Sequence, residues 1–306
     1  MQDVVVCGFA RTPFGKYRGK LADFTAVDLG TIVVKELIKK CGLDVENGIV
    51  DQLYFGQVLQ AGSGQAPARQ VALKAGLPNY TPCTTINKVC GSSLKAVMIG
   101  ATEIRAGLAD VVIAGGMESM SNVPNYVTDL QKGEDISYER LKSLLINDGL
   151  KDAYSGEMMG HTGETIALEM GISRTLADEY ALRSHNLSLQ AWNNGWLDKE
   201  IVNLEGIDAD EGIREDSSID SLSKLNPVFD EDGVVTAGNS SQLSDGAAAV
   251  MVCSRAAAIK YGLPIYCSIE DYVTSGVEPR RVMSAPIPAV EKLLERNKLE
   301  INQIDI

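Results

Sequence analysis

Over its first 116 residues the chain alternates between two hydrophobic periods, and no other feature limits the possible folds as much. Val4–Cys7 is a short apolar run of the kind that forms a strand. Thr25 and Asp28 then stand three apart like a capping box, and apolar residues at 26, 29, 33 and 37 carry a helix to Gly42. Gln52–Val58 is strand-like again, and Pro67–Ala75 is helical and stops at Gly76. Thr81–Asn87 predicts a strand, Gly91–Ala106 a helix, and Asp110–Ala114 a strand closed by Gly115 and Gly116. Strands that alternate with helices predict an α/β layered domain with a largely parallel sheet.

From Met117 to about Gly246 the texture changes. Residues 117–160 are polar and irregular, Ser173–Trp196 is one long amphipathic helix with Ser173 as its cap, and 208–220 is strongly acidic. Such a stretch is an insertion that builds a site, not another strand–helix layer. The α/β pattern returns after Thr236. It predicts strands at Ala247–Val252 and Ile265–Val273, and helices at Arg255–Tyr261 and Ala289–Asn297. A further strand begins at Gln303–Ile306, which would leave the last sheet unfinished.

Composition narrows the functional classes. A net charge of −13 disfavours nonspecific binding to nucleic acid or anionic membranes, so any positive charge that meets an anionic ligand must be local. No run approaches the ~18 uninterrupted apolar residues of a membrane span. The N-terminus has no basic region ahead of its apolar run, as a secretory signal would. Six cysteines at 7, 41, 83, 90, 253 and 267 include no Cys-x-x-Cys pair, which fits neither a metal site nor a disulfide framework and points to a reducing cytoplasm.

A thiol becomes a nucleophile as thiolate, which a helix N-terminus favours through its free N–H groups and its dipole. Cys7, Cys253 and Cys267 lie in apolar strand-like runs and are expected to pack in the core. Cys41 ends a helix and Cys83 begins a strand. Only Cys90 falls at a strand-to-helix junction, with Lys88 and Lys95 nearby. Position alone leaves it either a nucleophile or a buried structural thiol.

The segment Asn87-Lys-Val-Cys90-Gly-Ser-Ser-Leu-Lys-Ala96 resembles the nucleophile segment of thiolases. Four more motifs resemble that family in order: Arg11-Thr-Pro-Phe-Gly15, Gly115-Gly-Met-Glu-Ser-Met-Ser-Asn-Val-Pro124, Asn194-Gly-Trp-Leu-Asp-Lys-Glu-Ile201, and Thr236-Ala-Gly-Asn-Ser-Ser-Gln-Leu-Ser-Asp-Gly-Ala247. Residues 115–124 and 141–163 are closest in wording to the short-chain acetoacetyl-CoA thiolases.

The resemblance implies a five-layer αβαβα sandwich of two βαβαβαββ halves. Residues 1–116 and 247–264 would form the N-terminal half, 117–246 a loop domain that holds coenzyme A, and 265–306 the start of an incomplete second half. Cys90 would carry an acetyl thioester between two acetyl-CoA molecules. Arg214 would lie beside the adenine and ribose phosphate, Leu150, Met159, Ser221 and Phe229 would line the channel, and Ser241 would bond the pantetheine. Coenzyme A would be a substrate, with no permanently bound cofactor and no metal. A homodimer or homotetramer is implied.

Three points depart from the family pattern. Met158 stands where a histidine is frequent, which leaves His161 without that contact, and Gln242 replaces a frequent glycine. The family's Asn-Glu-Ala-Phe, Gly-His-Pro and Cys-x-Gly-Gly-x-Gly motifs do not occur, so the 306 residues read as an incomplete thiolase, inactive alone or completed by a separate chain. The other readings are a longer-chain 3-ketoacyl-CoA thiolase and a noncatalytic CoA-binding relative. His185, mid-helix, is expected at the surface.

Overall fold

A computed structural model describes residues 2–133, 136–204 and 206–305. The chain packs into two units. The first comprises residues 1–149, 195–212 and 242–269, and the second 150–194, 213–241 and 270–306.

The first unit is built on one sheet. Its strands are β1 (Val4–Arg11), β2 (Gln52–Gly56), β3 (Cys83–Ile86), β4 (Val111–Ser119), β5 (Ser244–Ser254) and β6 (Cys267–Ser268), in the order β3-β2-β4-β5-β1-β6, with Gly15–Lys16 paired to β5. Helices α1 (Ala26–Cys41), α2 (Pro67–Lys74) and α3 (Ser92–Arg105) connect the first four strands. β2 is parallel to β3 and β4, whereas β5 is antiparallel to β4 and β1, and β6 to β1. The four strands that alternate with helices therefore share one direction, as their crossovers require. The expectation of a largely parallel sheet fails at β5, which returns from the insertion to lie against the grain between β1 and β4, and at β6, antiparallel to β1 at the edge.

Local signals account for these elements. Thr25 Oγ1 accepts the Asp28 N–H at 3.2 Å while the Asp28 carboxylate accepts the Thr25 N–H at 3.3 Å, and Gly42 closes α1 at φ 63°. The apolar stripe of α1, with Leu29, Val33 and Leu37 fully buried, packs in one core with Val5, Phe55, Ile113 and Met251. Burial of each such side chain stabilises the fold by about 1.5–3 kcal/mol.

Gly115 and Gly116 do not end the fourth strand; β4 runs through them to Ser119. A Cβ at Gly115 would stand 2.1 Å from the Ala248 carbonyl oxygen, so the glycine is needed for close approach and not for a turn. The segment 195–212 is fastened to the end of β1 by backbone bonds to Glu200 and Val202. There the Arg11 guanidinium, 13% exposed, meets Glu200 at 2.7 Å and Asp210 at 2.8 Å. The strand expected over Ile265–Val273 shrinks to β6. Its pairing with β1 covers only Val5 and Val6, and from Glu270 the chain belongs to the other unit.

The second unit contains α4 (Met159–Met170), α5 (Arg174–Asn193) and α6 (Pro286–Asn297). Ser173 caps α5 by accepting the Leu176 N–H, as its sequence predicts. Near the C-terminus Ile301–Gln303 form a 3-10 turn; of the strand expected at Gln303–Ile306, residues 303–305 are not in a strand and Ile306 lies outside the described residues. No helix among the described residues is long and apolar enough to cross a membrane.

Candidate active site

Cys90 sits in the turn from β3 to α3 and is exposed. The residue before it, Val89, adopts φ 49°, a left-handed conformation that a β-branched side chain disfavours and that the surroundings must hold in place. They do so from two sides. Asn87 Oδ1 accepts the Val89 N–H at 3.0 Å; Ser92 Oγ accepts the Lys88 N–H at 2.8 Å and donates to the Val89 carbonyl at 2.6 Å. α3 then starts at Gly91 without any side-chain cap, unlike α1 and α5. The Ser92 N–H turns back to the Val89 carbonyl at 3.1 Å, and the positive end of the α3 dipole lies next to Cys90.

The sheet below is cut away to admit this turn. A Cβ on Gly56 would stand 2.7 Å from both Ser92 Cβ and the Ser93 nitrogen, and one on Gly116 2.0 Å from Ser93 Oγ. Sequence reasoning passed over Gly56 and took Gly116 for a strand end, although a glycine inside a strand is itself a sign of close backbone approach.

The other cysteines differ. Cys7 and Cys253 are buried, and Cys41 and Cys83 partly so. Burial pushes the Cys41 thiol up to about 11 and also raises Cys83. The hydrogen bond with Cys7, reinforced by burial, holds the Cys253 thiol well above the ordinary range. Cys267 corrects an expectation: it is exposed, not packed in the core, because β6 is a two-residue edge strand. It has no helix start behind it.

The residues expected to hold coenzyme A all lie in the second unit. Phe229 lies against the start of α4, where its ring fills the space a Gly160 side chain would need (1.9 Å to a Cβ) and meets His161 edge-on at 5.3 Å. Met159 opens that helix, and Leu150 ends a short π-helical turn from Leu145. Arg214 is exposed; its backbone N–H donates to His185 Nδ1 at 3.3 Å, and its side chain makes no ion pair among the described residues. His185, expected at the surface with no particular task, thus holds the Arg214 backbone. The Ser221 hydroxyl is engaged in a capping box with Ser218 at the start of the short helix Ile219–Ser223, a structural task that its sequence position did not suggest. Ser241 is exposed.

A polar frame holds these pieces. The buried Glu164 carboxylate accepts the Val234 and Val235 N–H groups at 2.8 Å each. Asp178, 2% exposed, takes Arg174 at 2.8 Å and Asn239 at 3.0 Å, while Arg174 donates to the carbonyls of Leu222 and Leu225. Buried acids matched in this way fix loop positions, because an unmatched one would carry a heavy desolvation penalty. A carboxylate four residues after an arginine on a helix is a legible signal that sequence reasoning missed.

A family model described as the N-terminal domain of thiolase matches residues 4–256. Over its whole length the chain is 44% identical to a probable acetyl-CoA acetyltransferase of Escherichia coli K12, covering 79% of that protein. It is also 42% identical to an acetyl-CoA acetyltransferase of Cupriavidus necator and 41% to one of Pseudomonas aeruginosa, covering 80% of each.

Proposed function

Because the chain belongs to the thiolase family, we propose that it is an acetyl-CoA C-acetyltransferase in which Cys90 is the nucleophile. The Cys90 thiolate attacks the acetyl carbon of one acetyl-CoA, and coenzyme A departs with its sulfur protonated. A second acetyl-CoA, deprotonated at its methyl carbon, attacks the acetyl-Cys90 carbonyl. Acetoacetyl-CoA leaves and the Cys90 thiolate is restored; the reverse sequence is thiolysis. Sulfur suits both halves, being a strong nucleophile and a good leaving group. The observation that carries this reading is the exposed Cys90 at the uncapped start of α3, behind the left-handed Val89.

Residues 117–246 serve in this proposal as the coenzyme A loop domain, between an N-terminal half made of 1–116 and 247–264 and a second half beginning at 265. Leu150, Met159, Ser221, Phe229 and Ser241 line the cofactor path, and Arg214 meets the nucleotide end. The exposed guanidinium, without an ion pair among the described residues, supports that last role. Replacing Arg214 with alanine should raise KM for acetyl-CoA far more than it lowers kcat, because a contact remote from the reacting atoms acts equally on ground and transition states. The effect should shrink with added salt, as for any partly exposed ion contact. An unchanged KM would make Arg214 an ordinary surface charge.

Homo-oligomerisation is part of the same reading, supported by the outer edge of β3, whose free side has no strand partner among the described residues. Six free cysteines favour a reducing compartment such as the cytoplasm.

A polypeptide of these 306 residues alone should not turn over. It holds two histidines, of which His185 is engaged by the Arg214 backbone, and none of the family's three remaining catalytic motifs. Lack of an acid–base partner forfeits about 10²–10⁴-fold and each absent oxyanion donor about 10²–10³-fold. Acetoacetyl-CoA cleavage measured on these residues, with and without a segment bearing those motifs in trans, checks this. Robust turnover without it would direct the search for a base to His161.

A further inference from the structure

Glu118 lies one residue from the end of β4, opposite Gly246, and is half-buried. Both of its carboxylate oxygens are used: one accepts the Val58 N–H at 2.9 Å and the other the Leu59 N–H at 3.3 Å. Val58 is itself tied to the nucleophile turn, since its carbonyl accepts a hydrogen bond from Asn87 Nδ2 at 3.3 Å. The other end of the same amide holds the Val89 N–H. A continuous chain of hydrogen bonds therefore runs from Glu118 through Val58 and Asn87 to the left-handed residue before Cys90. Burial raises the Glu118 carboxyl group, with a smaller push from Asp245, while the two backbone N–H groups work against that rise. A half-buried acid that grips two consecutive amides is suited to fixing a loop.

We propose that Glu118 is a positioning residue for the nucleophile, holding Val89 in its left-handed conformation, and so Cys90 at the start of α3, through the Val58–Asn87 link. The proposal rests on the reading of Cys90 as the nucleophile, but its test does not depend on turnover. The rate of Cys90 alkylation by iodoacetamide, read site by site by peptide mass mapping, reports how well the thiol is held at the helix start. Cys267, exposed on β6, is the internal control, and the buried Cys7 and Cys253 report loosening of the core.

Glu118→Ala should slow Cys90 alkylation about tenfold as the thiol leaves the helix N-terminus, with Cys267 unchanged and Cys7 and Cys253 still protected. Glu118→Gln, which keeps one acceptor, should fall between Glu118→Ala and the unaltered protein, and it serves alone where the alanine variant fails to fold. Asn87→Ala should reproduce the slowing, and the Glu118→Ala/Asn87→Ala double variant should add little to it, as expected of residues in one chain. A Cys90 rate within about twofold of the parent in both Glu118 variants would overturn the proposal. So would slowing that is fully additive with Asn87→Ala, or that comes with labelling of Cys7 and Cys253. If acetyl-CoA fails to acetylate Cys90 in a form of the protein that carries the family's remaining catalytic motifs, while Glu118→Ala still slows alkylation, the acetyltransferase reading falls and the positioning role stands.

Discussion

Cys90→Ser is expected to abolish acetoacetyl-CoA formation and thiolysis in a form of the protein that carries the family's remaining catalytic motifs. The fall in kcat should be about 10³-fold or more, the scale seen when a covalent nucleophile is removed. A serine at this position has the same neighbours: the uncapped start of α3, the left-handed Val89, and the Ser92 bonds that close the turn. An alcohol is far less acidic than a thiol, so a serine there is not brought to its alkoxide near neutral pH, and alkoxide is the poorer leaving group in the second half-reaction. Incubation with acetyl-CoA followed by peptide mapping should place the acetyl group on Cys90 in the parent and nowhere in the variant. Cys267 makes this a sharp comparison, because it is equally free of disulfide and equally exposed, yet sits on an edge strand with no helix N–H groups. Cys267→Ser should leave turnover as it was. Acetyl found on Cys267, or turnover that survives Cys90→Ser, would remove Cys90 from the mechanism.

What the sequence made legible was mostly what a few neighbouring residues decide. The α1 capping box at Thr25 and Asp28, the Gly42 stop and the Ser173 cap are each written within four or five residues, and each forms as expected. The alternation of periods gave the first three strand–helix steps for the same reason. The direction of β5 was not legible in that way. It pairs with β1 and β4 across separations of more than a hundred residues, and a strand that returns from a long insertion is free to run either way. Gly115 and Gly116 were misread because glycine serves two purposes; only the 2.1 Å gap to the Ala248 carbonyl distinguishes close approach from a turn. Cys267 was misplaced because an apolar run carries no record of how much of it finds a partner. In the candidate site, the position of Cys90 was legible from a strand-to-helix junction. The glycines below it were not, because their task is to leave space for Ser92 and Ser93, and an empty volume has no local pattern. Ser221 shows a local task that the sequence left unread, a capping box with Ser218.

Gly56→Ala is expected to lower stability and slow Cys90 together, because this glycine is where the sheet meets the nucleophile turn. In an open strand the exchange would favour folding by about 0.4–1 kcal/mol, since alanine restricts the unfolded chain. Here the added methyl would stand 2.7 Å from Ser92 Cβ and from the Ser93 nitrogen, and 2.8 Å from the Ser92 carbonyl carbon. Two of those atoms are helix backbone and none is the free end of a side chain, so no rotamer change relieves the overlap. Either β2 or the first turn of α3 must move, at an overpacking cost of about 1–3 kcal/mol, which outweighs the entropic gain. Gly56 lies mid-sheet between β3 and β4, pairing with Ile86 and Gly116, so α3 should be the part that gives. Cys90 leads into that first turn through Gly91, and a displacement of about 1 Å at a reacting group can cost about 10²-fold in rate. Gly91→Ala is the comparison: Gly91 adjoins Cys90, has φ −85°, and would bring its Cβ no nearer than 3.5 Å to the Lys88 carbonyl oxygen. It should keep the parent's melting temperature. Thermal unfolding and the rate of Cys90 alkylation by iodoacetamide, measured on both variants, decide the matter. A Gly56→Ala protein that melts with the parent and alkylates Cys90 at the parental rate would mean that the turn adjusts without strain, and that Cys90 is not held by its seat on β2.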